Sequence, residues 1–147
     1  QNNAIGNKVP QVDVKKAIKK YRALHKAIQA GLVASCHDCS DGGLGIALIE
    51  TAFAGGFGMN IALKDVPYRG KKRNDYILFS ETASRFVVTI HPKDQSRFKK
   101  IMAGNVISEI GFVASDGLFR ITGLNGKLII KEKISKLKEA WQKPLNF

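Results

Sequence analysis

The chain has 147 residues, of which 44% are hydrophobic and 24% are charged, a composition ordinary for one globular domain spanning residues 1–147. Lysine and arginine outnumber aspartate and glutamate by 24 to 12, and the resulting net charge of +12 favours anionic partners such as nucleotides or nucleic acids. Two cysteines exclude a disulfide scaffold and an apolar region broken by Glu50 excludes a membrane span, so we expect a cytoplasmic protein without a membrane partner.

The first predicted elements are an irregular lead-in, residues 1–11, and one long helix. Asp13 is a suitable N-cap for a helix from Val14 to about Ala30, and Gly31 suits the left-handed residue that ends it. Apolar residues recur along this helix at helical spacing: Ala17, Ile18, Tyr21, Leu24 and Ile28. This stripe predicts a helix that packs on a core.

The residues that carry chemistry are concentrated in the segment Ser35–Leu44. It follows a short apolar run, Leu32–Ala34, which predicts a buried strand, and it precedes a helical pattern. A strand, a glycine-bearing turn and a helix place unpaired backbone N–H groups at the positive end of a helix dipole, which is a site for phosphate or carboxylate. His37, Asp38 and Asp41 add groups of the kind that hold magnesium beside phosphates.

Two other interpretations of this segment stay open. Residues 40–43 are also typical of an ordinary helix N-cap and tight turn. Cys36 and Cys39, between a predicted strand and a predicted helix, have the spacing of a thioredoxin-like redox pair. Two carboxylates, a histidine, a serine and two glycines within residues 37–44 exceed what a cap requires, and this density favours a binding function.

A second polar cluster, Ser80–Arg85, lies between two apolar runs. A predicted strand, Gly58–Leu63, and a basic loop precede it, and a continuous apolar strand of the buried kind, Phe86–Ile90, follows it. Arg85 either binds a phosphate or forms an internal pair with Glu81, and the internal pair is the favoured alternative.

The last third of the chain alternates predicted helices and strands. Pro92 begins a helix that runs to about Ala103, and Gly111–Val113 is a short strand. Asn125-Gly126 predicts a hairpin with a type I′ turn, and a final helix covers residues 134–143. Together these elements predict an α/β or α+β fold, in which helices pack on a mixed sheet.

Two long motifs resemble a known enzyme family. The first is HDCSDGGL at residues 37–44, with ALIE at 47–50 and AFAGG at 52–56, and it resembles the HDxSDGGL…ALxE…AFAGG signature of phosphoribosylformylglycinamidine synthase. The second is LFSETASRFVV at residues 78–88, and it is similar to the LFSES…RFVV segment of the same family. The likeness extends over nearly the whole chain.

The resemblance implies the fold of the C-terminal domain of aminoimidazole ribonucleotide synthetase, as the second such domain of a duplicated synthetase chain. The full enzyme converts formylglycinamide ribonucleotide to formylglycinamidine ribonucleotide with ATP, magnesium and glutamine-derived ammonia, in purine biosynthesis. The implied partners are the other domains of that chain, a glutaminase subunit or domain, a small bridging subunit and the ribonucleotide substrate. Because the chain begins with Gln1 and lacks the catalytic histidine of the family, we expect a fragment that is inactive by itself.

The resemblance also implies roles for particular residues. Asp38 is the implied magnesium ligand beside ATP or ADP. The residues implied to bind nucleotide or phosphate lie in the glycine turn and in the second polar cluster: Ser40, Asp41, Gly42, Gly43, Glu81, Thr82 and Arg85. Within the turn, the resemblance implies that Ser40 contacts the nucleotide phosphate directly. It also implies that the backbone of Asp41, Gly42 and Gly43 surrounds that phosphate. The site of such a duplicated enzyme is either the catalytic nucleotide site or a structural one.

A basic nucleic-acid-binding module without catalytic activity is the alternative function, and the net charge of +12 motivates it. The sequence has no interleaved exposed aromatic residues and no recognisable nucleic-acid motif, so nucleic acid is not the expected partner. Much of the basic charge is predicted to lie on polar helix faces, where exposure to solvent explains it.

Overall fold

The computed structural model describes residues 11–145, so the predicted lead-in up to residue 10 lies outside the described residues. The helices in this range are α1 (Val14–Gln29), α2 (Gly43–Gly55), α3 (Asn74–Phe79), α4 (Gln95–Ile101) and α5 (Ile134–Gln142). The strands are β1 (Ser35–Asp38), β2 (Gly58–Ala62), β3 (Phe86–Thr89), β4 (Gly111–Ala114), β5 (Leu118–Thr122) and β6 (Leu128–Lys133). No helix in the described range is long and apolar enough to cross a membrane.

Helix α1 begins and ends close to where the sequence predicts. The Asp13 carboxylate accepts a hydrogen bond from the Lys16 N–H at 3.1 Å, and Gly31 adopts a φ of +69° after the helix. The buried residues of the helix share one narrow face: Ala17, Leu24 and Ala27. The other members of the predicted stripe are at least 44% exposed: Ile18, Tyr21 and Ile28. Helix α1 therefore packs by a narrower face than its pattern predicts.

The smaller sheet consists of β1 and β3, which pair antiparallel with Ser35 opposite Thr89. The strand predicted at residues 32–34 is wrong, because the ladder with β3 takes Ser35–Asp38 instead. Strand β3 is found where the sequence predicts it. It is less buried than predicted, since only Val87 is buried in this narrow sheet.

The larger sheet has four strands in the order β4-β2-β5-β6, in which β2 and β5 are parallel and the other pairs are antiparallel. Alternate residues of the two central strands are at most 6% exposed: Met59, Ile61, Phe119 and Ile121. Side chains of α2, α3 and α5 join these residues in one core cluster. The structure thus confirms the predicted class, a mixed sheet with helices packed on it.

Helix α2 lies at the centre of the molecule and contacts β1, β3, β2, α3 and α5. Because it has neighbours on several sides, its sequence is apolar around most of its circumference. It ends at Gly55, and its C-cap, Gly56, adopts a left-handed conformation. The core packing of α2 fixes its N-terminus, and with it the turn that joins β1 to α2.

A second cluster of buried side chains joins α1 and α4, at Leu24, Ala27, Phe98 and Met102. Half-buried residues of β3 pack against this cluster, so α1 lies beside β3. The helix predicted from Pro92 is a 3₁₀ turn, Pro92–Asp94, followed by α4.

The β5–β6 hairpin is confirmed, but the predicted type I′ turn is wrong. That turn needs a positive φ at both central residues, and among non-glycine residues of the described range only Ser84 has one. The Gly126 N–H donates to the Gly123 carbonyl at 3.0 Å, and Gly126 itself has a φ of +76°. A β-turn that ends in one left-handed glycine therefore connects the strands.

Candidate functional site

The turn between β1 and α2 is built from two glycines in left-handed conformations. Gly42 and Gly43 have φ values of +73° and +64°, and the Gly43 N–H donates to the Ser40 carbonyl at 2.9 Å. Gly42 is the N-cap of α2 and has no side chain to cap it with, and the first turn of the helix contains no acidic residue. The positive end of α2 therefore needs a partner from elsewhere in the chain.

Glu81 provides that partner. Its Oε1 accepts a hydrogen bond from the Gly42 N–H at 2.9 Å, across 39 positions of sequence. The side chain of Glu81 is exposed and is not enclosed by other residues. The N-terminus of α2 thus holds an anionic oxygen, which in this structure belongs to the protein itself.

Gly43 is required for the close approach of two backbone segments. A Cβ at this position would lie 2.7 Å from the Ser80 carbonyl oxygen and 2.9 Å from that of Leu78. The N–H of Gly43 is already bonded within the turn. Gly43 therefore contributes to the site by having no side chain, because only then can the backbone segment after α3 lie against the start of α2.

The loop Ser80–Arg85 encloses the guanidinium group of its own Arg85. Arg85 donates through Nη2 to the Ser80 carbonyl and through Nε to the Thr82 carbonyl at 3.3 Å. The favoured internal pair with Glu81 is wrong, because Glu81 bonds to α2 while the loop carbonyls surround Arg85. Thr82 contributes its carbonyl to this arrangement.

The turn and the loop face each other across a cleft of about 620 Å³. The predicted site residues that line it come from both segments: Asp38, Ser40, Asp41, Glu81 and Arg85. The other three, Gly42, Gly43 and Thr82, support the walls through their backbone. Ala83 and Ser84 of the second polar cluster also line it, and sequence reasoning missed two further lining residues as parts of a site: Tyr21 and Phe86.

Oxygen atoms suited to a hard cation lie on the turn side of the cleft. The Asp38 carboxylate is 64% exposed at the end of β1, and Ser40 and Asp41 line the same cleft. Among residues 11–145, no three His, Cys, Asp or Glu side chains are placed to form a metal site. The donors fit magnesium, which commonly takes one or two carboxylates from a protein and completes its shell with water and phosphate.

His37 does not line the cleft, although the sequence groups it with the aspartates. Its Nε2 lies 2.8 Å from Glu50 Oε2, and the Trp141 indole N–H donates to the other Glu50 oxygen at 2.8 Å. Successive residues of a strand point to opposite faces, so Asp38 lines the cleft while His37 Nε2 faces α2, although His37 Nδ1 still lies 3.5 Å from Asp38 Oδ1. No local pattern indicates this three-way contact, because its members come from three elements.

The two cysteines lack the properties of a redox pair. Both are free thiols, Cys36 exposed and Cys39 buried. Loss of solvation raises the pKa of both thiols, and the nearby Asp38 carboxylate raises each pKa further; at Cys39 the Arg85 guanidinium acts in the opposite direction, but the pKa is still raised. A catalytic dithiol needs a lowered thiol pKa, so the structure argues against this interpretation.

Comparison with known proteins identifies the family. Residues 1–123 match the family described as AIR synthase related protein, C-terminal domain. The chain belongs to this family. This AIR synthase C-terminal domain is similar to part of a curated relative: it is 36% identical over 119 residues to the phosphoribosylformylglycinamidine synthase subunit PurL of Lactobacillus acidophilus. That alignment covers 81% of this chain and 15% of the PurL subunit, so the chain spans about one-seventh of this relative.

Solved structures show the same AIR synthase-type fold. T. maritima PurL complexed with FGAR superposes with a TM-score of 0.80 and 23% identity, covering 92% of this chain and 23% of that one. T. maritima PurL complexed with AMPPCP gives a TM-score of 0.69 and 26% identity, covering 81% and 21%. Together with the family match, these findings confirm the resemblance that the two sequence motifs carry.

Proposed function

We propose that the chain is one domain of an ATP-dependent carbon–nitrogen ligase of purine biosynthesis. The whole enzyme converts formylglycinamide ribonucleotide and glutamine-derived ammonia to formylglycinamidine ribonucleotide. Similarity to PurL over 81% of the chain supports this activity. In this proposal residues 1–147 form a single domain of a larger synthetase and contribute no catalytic residue. Other domains and the ammonia-supplying subunits complete the enzyme, and the isolated chain is inactive.

Within that enzyme, the proposed role of the domain is to bind nucleotide phosphates in the cleft described above. The observation that carries this role is the meeting of Asp38, Ser40, Asp41, Glu81 and Arg85 in one cleft at the N-terminus of α2. Backbone N–H groups at a helix N-terminus and a guanidinium group favour phosphate oxygens. A relative that is 26% identical has been solved with AMPPCP, an ATP analogue, which supports a nucleotide as the ligand.

Each wall has its own part in the proposed site. On the turn side, the Ser40 hydroxyl and the backbone of Asp41 and Gly42 contact phosphate oxygens, and Gly43 gives the turn its shape. On the loop side, Arg85 contributes positive charge and the Thr82 carbonyl orients its guanidinium group. Glu81 now occupies the Gly42 N–H, so a phosphate that reaches this group must displace the carboxylate.

Asp38 is the proposed magnesium ligand. A bound magnesium ion would neutralise charge on the nucleotide phosphates. The part played by the chain is to present the Asp38 carboxylate at the mouth of the cleft, where it is 64% exposed. Strand β1 holds it there through its ladder with β3, in which Asp38 lies opposite Phe86.

Titration of MgADP into isotope-labelled protein tests this role, with backbone amide shifts as the readout. For the unaltered chain, we expect saturable shifts confined to residues 38–44 and 80–85. Asp38→Asn removes one charge without changing side-chain shape. We expect it to weaken MgADP binding by about 10-fold or more, since substitutions even of groups that only support a metal ligand commonly lower metal affinity by that factor. Asp65→Asn is the matched control, since Asp65 is exposed and lies outside the cleft.

The outcomes separate a binding site from a helix cap. Equal MgADP affinity in the unaltered and Asp38→Asn proteins would contradict the magnesium assignment. Absence of shifts at residues 38–44, both in this chain and in the longest natural polypeptide that contains it, would overturn the nucleotide site. The turn would then be an ordinary N-cap completed by Glu81.

A further inference from the structure

Ser84 stands out on the wall of the cleft because of its backbone. Within residues 11–145, it is the only residue other than glycine with a positive φ, at +63°. Residues with a side chain avoid this conformation, and they keep it only where surrounding contacts hold them there. Ser84 lines the cleft and directly precedes Arg85.

Two consecutive residues of α1 hold Ser84 in this conformation. The Lys20 ammonium donates to the Ser84 carbonyl at 2.6 Å, in a partly buried position. The Tyr21 hydroxyl lies 2.7 Å from the Ser84 hydroxyl oxygen, and its ring packs edge-on against Phe86 with 5.6 Å between ring centroids. Because α1 is fixed by its own buried cluster with α4, these bonds anchor the loop to a rigid element.

The loop Ser80–Arg85 is consequently held from three directions. Glu81 bonds to the N-terminus of α2, and Arg85 bonds back to the carbonyls of its own loop. The third direction is helix α1, which contacts Ser84. These contacts fix the backbone direction between Ser84 and Arg85. If these contacts were lost, Ser84 would relax to a negative φ and the path of the chain between Glu81 and Arg85 would change.

We propose that Lys20 and Tyr21 are positioning residues of the nucleotide site, which act by holding Ser84 in its left-handed conformation. This inference rests on the function proposed above and extends the site to helix α1. The two residues need not touch the nucleotide. Their effect passes through Ser84 to Arg85 and Glu81, the charged groups on the loop side of the cleft.

Conservative substitutions test the proposal. Lys20→Met removes the ammonium group and Tyr21→Phe removes only the hydroxyl, and each deletes one bond to Ser84. Two matched controls make the same chemical changes outside the cleft. Lys19→Met deletes a bond of the same kind from α1 to the Gly104 carbonyl, at 3.2 Å, and Tyr76→Phe removes a hydroxyl from α3.

The first readout is the affinity for MgADP, and the second is ¹⁵N relaxation of the residue 80–85 amides without ligand. We expect Lys20→Met and Tyr21→Phe each to weaken MgADP binding by about 3- to 10-fold, as the loss of one hydrogen bond predicts. Both should increase the motion of the loop amides, while the controls leave affinity and motion unchanged. Lys20→Arg keeps a long cationic donor and should restore most of the affinity.

The outcomes also separate this inference from the proposed function. If MgADP binds neither to the unaltered chain nor to the longest natural polypeptide that contains it, the proposed nucleotide site and the binding role of Lys20 and Tyr21 both fall. If it binds and the two variants bind equally well, the positioning role alone is overturned. Equal losses in Lys19→Met and Lys20→Met would also overturn it, since the effect would then come from positive charge on α1.

Discussion

At the scale of single residues, the candidate site depends on backbone groups as much as on side chains. The Gly42 N–H holds the Glu81 carboxylate, and Arg85 is held by two carbonyl oxygens of its own loop. The missing side chain of Gly43 lets these two segments meet. The shape of the cleft is therefore sensitive to substitutions that alter the backbone, even where no side chain faces a ligand.

Gly43→Ala is expected to be strongly destabilising, and Gly31→Ala is its matched control. Both glycines have similar positive φ values, +64° and +69°, so both substitutions carry the cost of a left-handed alanine, about 1 kcal/mol. Nothing lies within 4 Å of a Cβ at Gly31, whereas a Cβ at Gly43 would meet two carbonyl oxygens at 2.7 and 2.9 Å. We therefore expect Gly43→Ala to lower the free energy of unfolding by about 2–5 kcal/mol.

Urea unfolding of the two variants measures this difference. Equal losses of unfolding free energy would contradict it, because they would show that the backbone contact at Gly43 relaxes without cost. The MgADP titration of Gly43→Ala, if the variant folds, should also show weaker binding, since the loop must move away from the start of α2.

The site residues that sequence reasoning found are those in short local motifs. Asp38, Ser40 and Asp41 lie within four positions, and their chemistry is visible in the sequence alone. Lys20 and Tyr21 gave no such signal, since one occupies a predicted solvent-exposed helix face and the other an apolar stripe. Their contacts span 64 and 63 positions, and only the packing of α1 beside β3 creates them.

At the scale of elements, the docking of α5 on α2 is organised by Glu50. One oxygen of its carboxylate lies 2.8 Å from His37 Nε2 and the other accepts the Trp141 indole N–H at 2.8 Å. The Trp141 ring also packs against Phe53, with 5.5 Å between ring centroids. A polar contact and an apolar one therefore fix the last helix to the central one.

Trp141→Phe and Trp141→Ala separate these two contributions. Phenylalanine keeps a ring beside Phe53 but lacks the N–H for Glu50, and we expect a loss of about 1 kcal/mol in unfolding free energy. Alanine also loses the ring packing, and because Trp141 is 46% exposed, we expect about 2–3 kcal/mol, less than for a buried tryptophan. Equal stability of the two variants, measured by urea unfolding, would show that the ring packing contributes nothing.

Element types were predicted better than element ends. Helices α1, α2 and α5 and strands β2 and β4 follow from periodicity, because each presents a clear apolar face or run. The apolar run at residues 32–34 predicts strand β1 too early in the chain, since pairing with β3 rather than apolar character decides its bounds. The Asn125-Gly126 dipeptide predicts the wrong turn type, because the length of the loop selects the turn geometry and the dipeptide alone does not.

At the scale of the whole molecule, we interpret the net charge of +12 through its effect on stability and not as a sign of a nucleic-acid partner. Three of the five lysines on α1 contact partners within the chain: Lys16 the Asp13 carboxylate, Lys19 the Gly104 carbonyl and Lys20 the Ser84 carbonyl. The charge that remains is spread over several elements. Its general effect is repulsion within the folded state, which grows as carboxylates become protonated.

The last prediction concerns acid. Hydrogen bonds and charge from nearby cations lower the pKa of four carboxylates: Asp13 beside Lys16, Asp75 beside Arg73, Asp116 beside Arg120 and the half-buried Glu132 beside Lys136. A carboxyl whose pKa is lower in the folded state stabilises the fold above its unfolded pKa, and this stabilisation is lost as the pH falls through the folded value. We therefore expect the melting temperature to fall between about pH 5 and pH 2, the range below the ordinary carboxyl pKa values.

Salt distinguishes the two causes of that fall. Exposed ion pairs contribute little and are screened, so their loss alone would make the melting temperature at pH 3 nearly independent of salt. Repulsion among 24 lysines and arginines, with few carboxylates still ionised, would instead be relieved by salt. We expect repulsion to dominate, so that 0.5 M NaCl raises the melting temperature at pH 3, as measured by circular dichroism. A decrease on adding salt would show that the ion pairs still hold the fold together in acid.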